Sequence, residues 1–294
     1  MLAAGGTAAR WDRHAPMPQA RSEVAAAAVD REIVVAGGFV ADGHNSARVD
    51  GYSPAANHWR RLPDLPASLD HAAAASANGR LYVIGGYGAD RLPQRRAYVL
   101  GRGAWRQLPA MPDGRAAAAA AIAGGRLYVV GGRNGRRALA RDAFVLAIGS
   151  QHWKRIRGPA PREHLAAAGA RGNVYALGGR AAGDDTNTAR FEIYDAAGRR
   201  WRRLASVPGA RGGTGAAVLA GRIVSVGGEE PAGTIRGVYA YDLREGRWSR
   251  LPDLPTPRHG LGVVAAEGRI WAVAGGPVPG LTVSAVVESL QLER

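Results

Sequence analysis

The chain has no cysteine among its 294 residues, so it can hold no disulfide, no thiolate metal site and no catalytic thiol. It contains one lysine, Lys154, against 39 basic residues in all, and only three phenylalanines. No apolar run reaches 18 residues; the nearest, Ala116 to Ala123, is short and Ala-rich, which predicts no membrane span. Gly132-Arg133-Asn134-Gly135 and Gly212-Gly213-Thr214-Gly215 resemble phosphate loops, but neither leads from a strand into a helix, so the cradle mechanism is missing. There is no Gly-x-Ser-x-Gly elbow and no His-Glu-x-x-His stretch. The first ten residues lack the basic and apolar regions of a signal peptide, although their small-residue character resembles its cleavage end. The compartment therefore stays open.

Charge of one sign is in excess. The formal net charge is +15, which raises polyanions as partners. The arginines are spread over the whole length of a chain crowded with Ala and Gly, the pattern a GC-rich coding bias produces. Nucleic acid is accordingly not the expected partner.

What the chain does have is a repeat. A tryptophan recurs at Trp11, Trp59, Trp105, Trp153, Trp201 and Trp248, and a small-residue pair recurs at Gly37-Gly38, Gly85-Gly86, Gly131-Gly132, Gly178-Gly179, Gly227-Gly228 and Ala274-Gly275. Both series step by 46 to 49 residues, a period that marks stacked supersecondary units. Each unit holds an Ala/Val-rich run, a turn, a β-branched run ending in the small pair, a variable loop, an aromatic run, and Trp followed by Leu-Pro. The second run, as in Leu81-Tyr82-Val83-Ile84 or Leu127-Tyr128-Val129-Val130, is continuously apolar, as a strand buried on both faces must be. Asn78-Gly79 and Gly124-Gly125 precede it and supply the positive φ of a tight hairpin. The Gly-Gly after it suits a place where neighbouring backbones converge. Tyr52, Tyr98, Tyr194 and Tyr241 each stand seven residues before a Trp and are expected to fill the widening space between sheets.

Gly-Gly, then an aromatic, then a Trp about seven residues later, in six copies, resembles the Kelch repeat over residues 11–294. The resemblance implies an all-β fold: a six-bladed β-propeller of four-stranded antiparallel blades, one domain over residues 1–294, with residues 1–10 a flexible tail. The last unit ends at a third strand, Val286 to Leu292, and the unpaired Trp11 segment is expected to complete it. That closure removes the exposed edge, and a monomer is expected.

Sixteen residues before each small pair stand Arg21, Leu69, Arg115, Arg162, Arg211 and Arg258. Kelch propellers similarly tend to carry Arg here. Together with Arg133 and Arg180 these five are the candidate ligand-binding residues, a ring of guanidinium forks suited to carboxylates or phosphates at one mouth. The alternative is that each braces a loop. Two positions on lie Glu23, His71, Ala117, His164, Gly213 and Gly260, which strand alternation aims to the arginines' side. Glu23, His71 and His164 are the candidate acid, base or ligand residues. Coming from three blades, they stand too far apart for one metal unless the opening is narrow, so neither metal nor cofactor is expected. His259 has the opposite parity. The loops after the small pairs are basic in the second and third units, with Arg91, Arg95, Arg96, Arg136, Arg137 and Arg141, and mixed beyond, at Asp184-Asp185 and Glu229-Glu230.

The expected function is a non-catalytic recognition scaffold for an acidic protein segment or an anionic carbohydrate. The alternative is a sugar-acid enzyme, since six-bladed Kelch proteins include bacterial sialic acid mutarotases. A copper oxidase like the Kelch-type galactose oxidases is disfavoured, because that chemistry needs a Cys crosslinked to Tyr.

Overall fold

In a computed structural model, which describes residues 9–292, the six repeats form six four-stranded antiparallel sheets. The expected tail lies mostly outside the described residues. The first sheet comprises Ala25–Val29, Glu32–Ala36, Val49–Ser53 and His58–Leu62. The last comprises Gly262–Ala266, Arg269–Val273, Val287–Gln291 and, from the other end of the chain, Arg10–Arg13. The register runs from Arg10 opposite Gln291 to Arg13 opposite Glu288, so the ring closes as the unpaired Trp11 segment requires.

The innermost strands stand side by side around the axis, each against the first strands of both neighbouring blades. Their Ala and Gly content follows from that crowding. A Cβ on Gly169 would lie 1.9 Å from the Ile122 carbonyl oxygen of the preceding blade, and one on Gly262 would lie 2.4 Å from the Ala26 methyl. Larger side chains belong further out, between blades. Ile84 and Val99 of the second blade pack there with Leu127 and Phe144 of the third.

Two backbone devices hold blade to blade. The N–H of the second small-pair residue donates to the carbonyl of the next blade's Arg-position residue, at 2.8 Å in all six cases: Gly38 to Leu69, Gly86 to Arg115, Gly132 to Arg162, Gly179 to Arg211, Gly228 to Arg258 and Gly275 to Arg21. The first residue of the pair sits against that same carbonyl; a Cβ on Gly85 would meet the Arg115 oxygen at 2.2 Å. Further out, the indole of each of the six repeated tryptophans donates to a carbonyl in the segment leaving the preceding blade. Trp105 bonds Pro63 at 2.8 Å, Trp201 bonds Arg157 at 2.9 Å, and Trp11 bonds Pro252 at 2.9 Å. The tryptophans are thus interblade fasteners, with Trp59 buried and the other five half-buried.

The aromatic pairing departs from expectation in one blade. Tyr52, Tyr194 and Tyr241 each stand directly across from a Trp. In the second blade Trp105 faces Leu100 instead. Arg102-Gly103, with φ of 52° and 78°, forms a two-residue turn, which moves the register by two and keeps Tyr98 on the same face of the sheet.

Candidate functional site

The five repeated arginines lie inside the blades. Their exposures are 0% for Arg21 and Arg258, 1% for Arg115 and Arg211, and 2% for Arg162. Each guanidinium extends toward the second and third strands of its own blade. Arg21 donates to the Gly37 and Arg48 carbonyls at 3.0 and 2.7 Å and to Asp50 at 2.6 Å. Arg162 binds Glu192 at 2.5 Å and the Gly178 carbonyl at 2.6 Å; Arg258 binds Glu288 at 2.6 Å and the Ala274 carbonyl at 2.8 Å. Arg115 binds Asp142 at 2.5 Å and stacks over Phe144. Arg211 has no carboxylate; it lies over Tyr239 and donates to the Gly237 carbonyl at 3.0 Å, and burial pushes its pKa down to about 10. Leu69 fills the sixth place as a buried apolar residue. A guanidinium ring at the mouth is therefore not what Arg21, Arg115, Arg162, Arg211 and Arg258 build. They brace loops and strands, and four already hold a carboxylate.

Two residues on, the backbone is left-handed at every blade. φ is 50° at Glu23, 51° at His71, 49° at Ala117, 52° at His164, 63° at Gly213 and 56° at Gly260. That conformation breaks strand alternation, so these residues do not share the arginines' side. They turn to the axis, where they line one cavity of about 100 Å³. They also bond one another: the N–H of each from His71 onward donates to the carbonyl of the one before it, at 2.9 to 3.1 Å, and Val24 closes the circuit onto Gly260 at 3.4 Å. The circuit makes the opening narrow. Ligand atoms of Glu23, His71 and His164 all lie within 4.8 Å of one another, so the expectation that three blades hold them too far apart for one metal fails.

The residues just before and beyond this ring partner it. His71 Nδ1 lies 2.6 Å from Asp70 Oδ1, and its Nε2 lies 3.3 Å from Glu23 Oε2. His164 Nδ1 lies 3.6 Å from Glu163 Oε1. His259, of opposite parity, reaches Glu23 Oε1 at 3.3 Å and Glu229 at 3.6 Å because left-handed backbone follows it at Gly260. Arg91 pairs with Asp70, Arg133 with Glu163, and Arg180 with Glu229 at 2.6 Å. Arg133 and Arg180 are thus at the mouth, half-buried and ion-paired. Burial alone would raise the Glu23 carboxyl, but His71, His259 and His164 outweigh it and hold it far below the usual carboxylate range. Burial would lower His71, yet Glu23 and Asp70 raise it; in His164 burial prevails and lowers it. The result is a carboxylate favoured in its ionised form beside two imidazoles shifted in opposite directions, a set that can pass a proton or offer nitrogen and oxygen donors.

Above this floor the wall is aromatic and basic. Arg91 lies 5.0 Å from the ring centroids of both Phe39 and Tyr87, which also flank His71 edge-on. Asp70, Glu163, Glu229, Arg91, Phe39, Tyr87 and His259 are site residues that strand alternation misses. For Asp70 and Glu163 the signal in the sequence is a polar pair directly after the Arg position, Asp70-His71 after Leu69 and Glu163-His164 after Arg162, where an alternating strand would place one polar residue. Asp184–Thr186 forms a single 3-10 turn, with Asp185 exposed, on the mixed side.

Six such blades around one axis, each with its Gly-Gly contact and its tryptophan fastener, define a Kelch-type β-propeller. Residues 6–157 and 71–276 match the model of the KLHDC2/KLHL20/DRC7 Kelch-repeats domain, and the chain belongs to that Kelch-repeat family. Among solved structures, 822 chains match. One, titled "Structure of YjhT", is similar with a TM-score of 0.79 at 16% identity, covering 92% of this chain and 95% of that one; that likeness is one of fold. No curated protein matches the sequence.

Proposed function

We propose that this chain is a non-catalytic recognition scaffold that takes an acidic protein segment or an anionic carbohydrate at its loop-bearing mouth. Kelch propellers commonly bind proteins. The observation that carries the finer reading is a basic lip made by two adjacent loops. The Arg137 guanidinium donates to the Arg91 carbonyl at 3.1 Å, which joins the 87–96 and 133–141 loops; Arg91, Arg136 and Arg137 are exposed there, and Arg91 lies beside Phe39 and Tyr87. Guanidinium forks over aromatic rings suit a carboxylate-bearing ligand.

The test is calorimetric titration with an acidic peptide and with an anionic monosaccharide. Arg91→Ala and Arg137→Ala each lower affinity about 10- to 100-fold, the range of a charge-assisted hydrogen bond. Arg106→Ala, exposed on an outer strand, leaves it unchanged. Equal affinity in all three variants would overturn the reading. The second reading, a sugar-acid enzyme, has one specific observation in its favour: the buried Asp70–His71–Glu23 line, at 2.6 and 3.3 Å, a carboxylate-oriented imidazole able to move a proton. NMR-followed mutarotation of an anionic sugar, lost in Glu23→Gln, would favour it.

A further inference from the structure

We propose that Glu23, His71 and His164 bind one divalent transition-metal ion of the zinc class on the propeller axis. This goes beyond the scaffold reading and does not depend on the ligand taken at the mouth. Two imidazoles and one carboxylate are the donor set of many three-ligand zinc sites. Here all three come from one ring that successive backbone hydrogen bonds hold in place, with their ligand atoms within 4.8 Å of one another.

The orientation of each donor agrees with that role. Metal-bound imidazoles characteristically give their second nitrogen to a carboxylate or carbonyl, which sets the tautomer and ring angle. His71 turns Nδ1 to Asp70 at 2.6 Å, and His164 turns Nδ1 toward Glu163 at 3.6 Å. Both carboxylates are themselves paired, with Arg91 and Arg133. Nε2 is left as the donor of each ring. Glu23 divides its oxygens likewise, Oε1 lying 3.3 Å from His259 and Oε2 lying 3.3 Å from His71 Nε2. With bonds of about 2.0–2.1 Å, donors of a tetrahedral site stand about 3.3 Å apart, so the Glu23 and His71 donors are already at ligand spacing, with the His164 donor within 4.8 Å of both. The other three ring positions are Ala117, Gly213 and Gly260, which offer no donor and leave the remaining coordination positions open within the cavity of about 100 Å³. Three protein ligands with an open position is the arrangement of a reactive zinc site, as against a closed structural one.

The experiment uses the full chain, stripped with a chelator and titrated with zinc(II) alone and cobalt(II) alone, with stoichiometry by elemental analysis and the cobalt visible spectrum as a report on nitrogen ligation. One equivalent is expected to bind. His71→Ala and His164→Ala each weaken binding at least 100-fold, and Asp70→Asn weakens it about 10- to 100-fold, the range for an outer carboxylate. Ala117→His, which adds a fourth donor to the same ring, tightens it. His44→Ala, an exposed histidine beside Asp42, changes nothing. Circular dichroism checks that each variant folds. Should the histidine variants unfold, imidazole NMR shifts of the wild-type chain on adding zinc identify the ligands directly. Binding well below one equivalent, binding unchanged in folded His71→Ala and His164→Ala, or shifts confined to histidines other than these two would overturn the site.

Discussion

Two rings of residues sit two positions apart on the same innermost strands and behave in opposite ways. The first, Arg21, Leu69, Arg115, Arg162, Arg211 and Arg258, is nearly uniform in sequence and faces into the blades. The second, Glu23, His71, Ala117, His164, Gly213 and Gly260, is mixed in sequence and faces the axis. In the first ring the same side chain solves the same local problem in five blades, satisfying carbonyls at the base of a loop and, in four of them, a carboxylate on the third strand. In the second, a common backbone conformation carries side chains that differ from blade to blade. Uniformity within a repeat protein marks what every unit needs to fold; departure from it at equivalent positions marks what the molecule as a whole uses. The larger charge count belongs to the first ring, and the accessible chemistry to the second.

The largest break in that comparison comes from the closing strand. Arg13 pairs with Glu288, the carboxylate that holds Arg258, so removing residues 1–14 strips Trp11 and uncovers the strand carrying one of the first ring's partners. Truncating a fully buried Trp costs about 3 to 5 kcal/mol, which bounds from above the share of the half-buried Trp11; the uncovered strand adds to it. A denaturant midpoint and a sedimentation profile like those of the intact chain would show that the ring does not rely on its two-ended closure.

Next is a direct contrast between the rings. Arg258→Ala leaves Glu288 as a buried unpaired carboxylate and should cost about 3 to 5 kcal/mol. His164→Ala, whose nearest carboxylate, Glu163, is 3.6 Å away and beyond hydrogen-bond reach, should cost about 1 kcal/mol, the centre of the range for single substitutions. Equal losses by urea titration would erase the distinction between brace and site.

The smallest effect is at Ala274, which takes the first Gly position of the sixth blade at a φ of 59°. Left-handed backbone costs a non-glycine residue about 1 to 2 kcal/mol, while glycine's extra chain entropy costs about 0.5 to 1. Ala274→Gly should therefore raise stability by about 0.5 to 1 kcal/mol. A loss on thermal melting would mean that the Ala274 methyl packs to a greater advantage than the strain it carries.

The architecture was legible because each of its causes is local. Asn78-Gly79 sets a turn by φ alone, Gly85 is required by a carbonyl 2.2 Å from where its Cβ would be, and Trp11 without a blade of its own implies the closure. The floor of the axial cavity was half legible. Glu23, His71 and His164 stand out as a register set, but the arginines expected beside them at the opening face into the blades instead, since strand alternation does not hold through a left-handed residue. Gly213 and Gly260, in the same register as His71, were the clue to that conformation. The contacts of His259 with Glu23, and of Arg91 with Phe39, join different blades, so no spacing along the chain encodes them.

The ladder that completes the sixth blade also sets how the molecule yields to force. Arg10 and Gln291 lie opposite each other at the outer end of an antiparallel pair, so tension between these two residues meets the hydrogen bonds one after another. The strands peel like a zipper, where a shearing load would strain all the bonds together. Opening begins at Arg10, passes Trp11 and its bond to Pro252, and frees the sixth blade before any other. A protein otherwise held by a circle of equivalent joints thus has one designated place at which it comes undone.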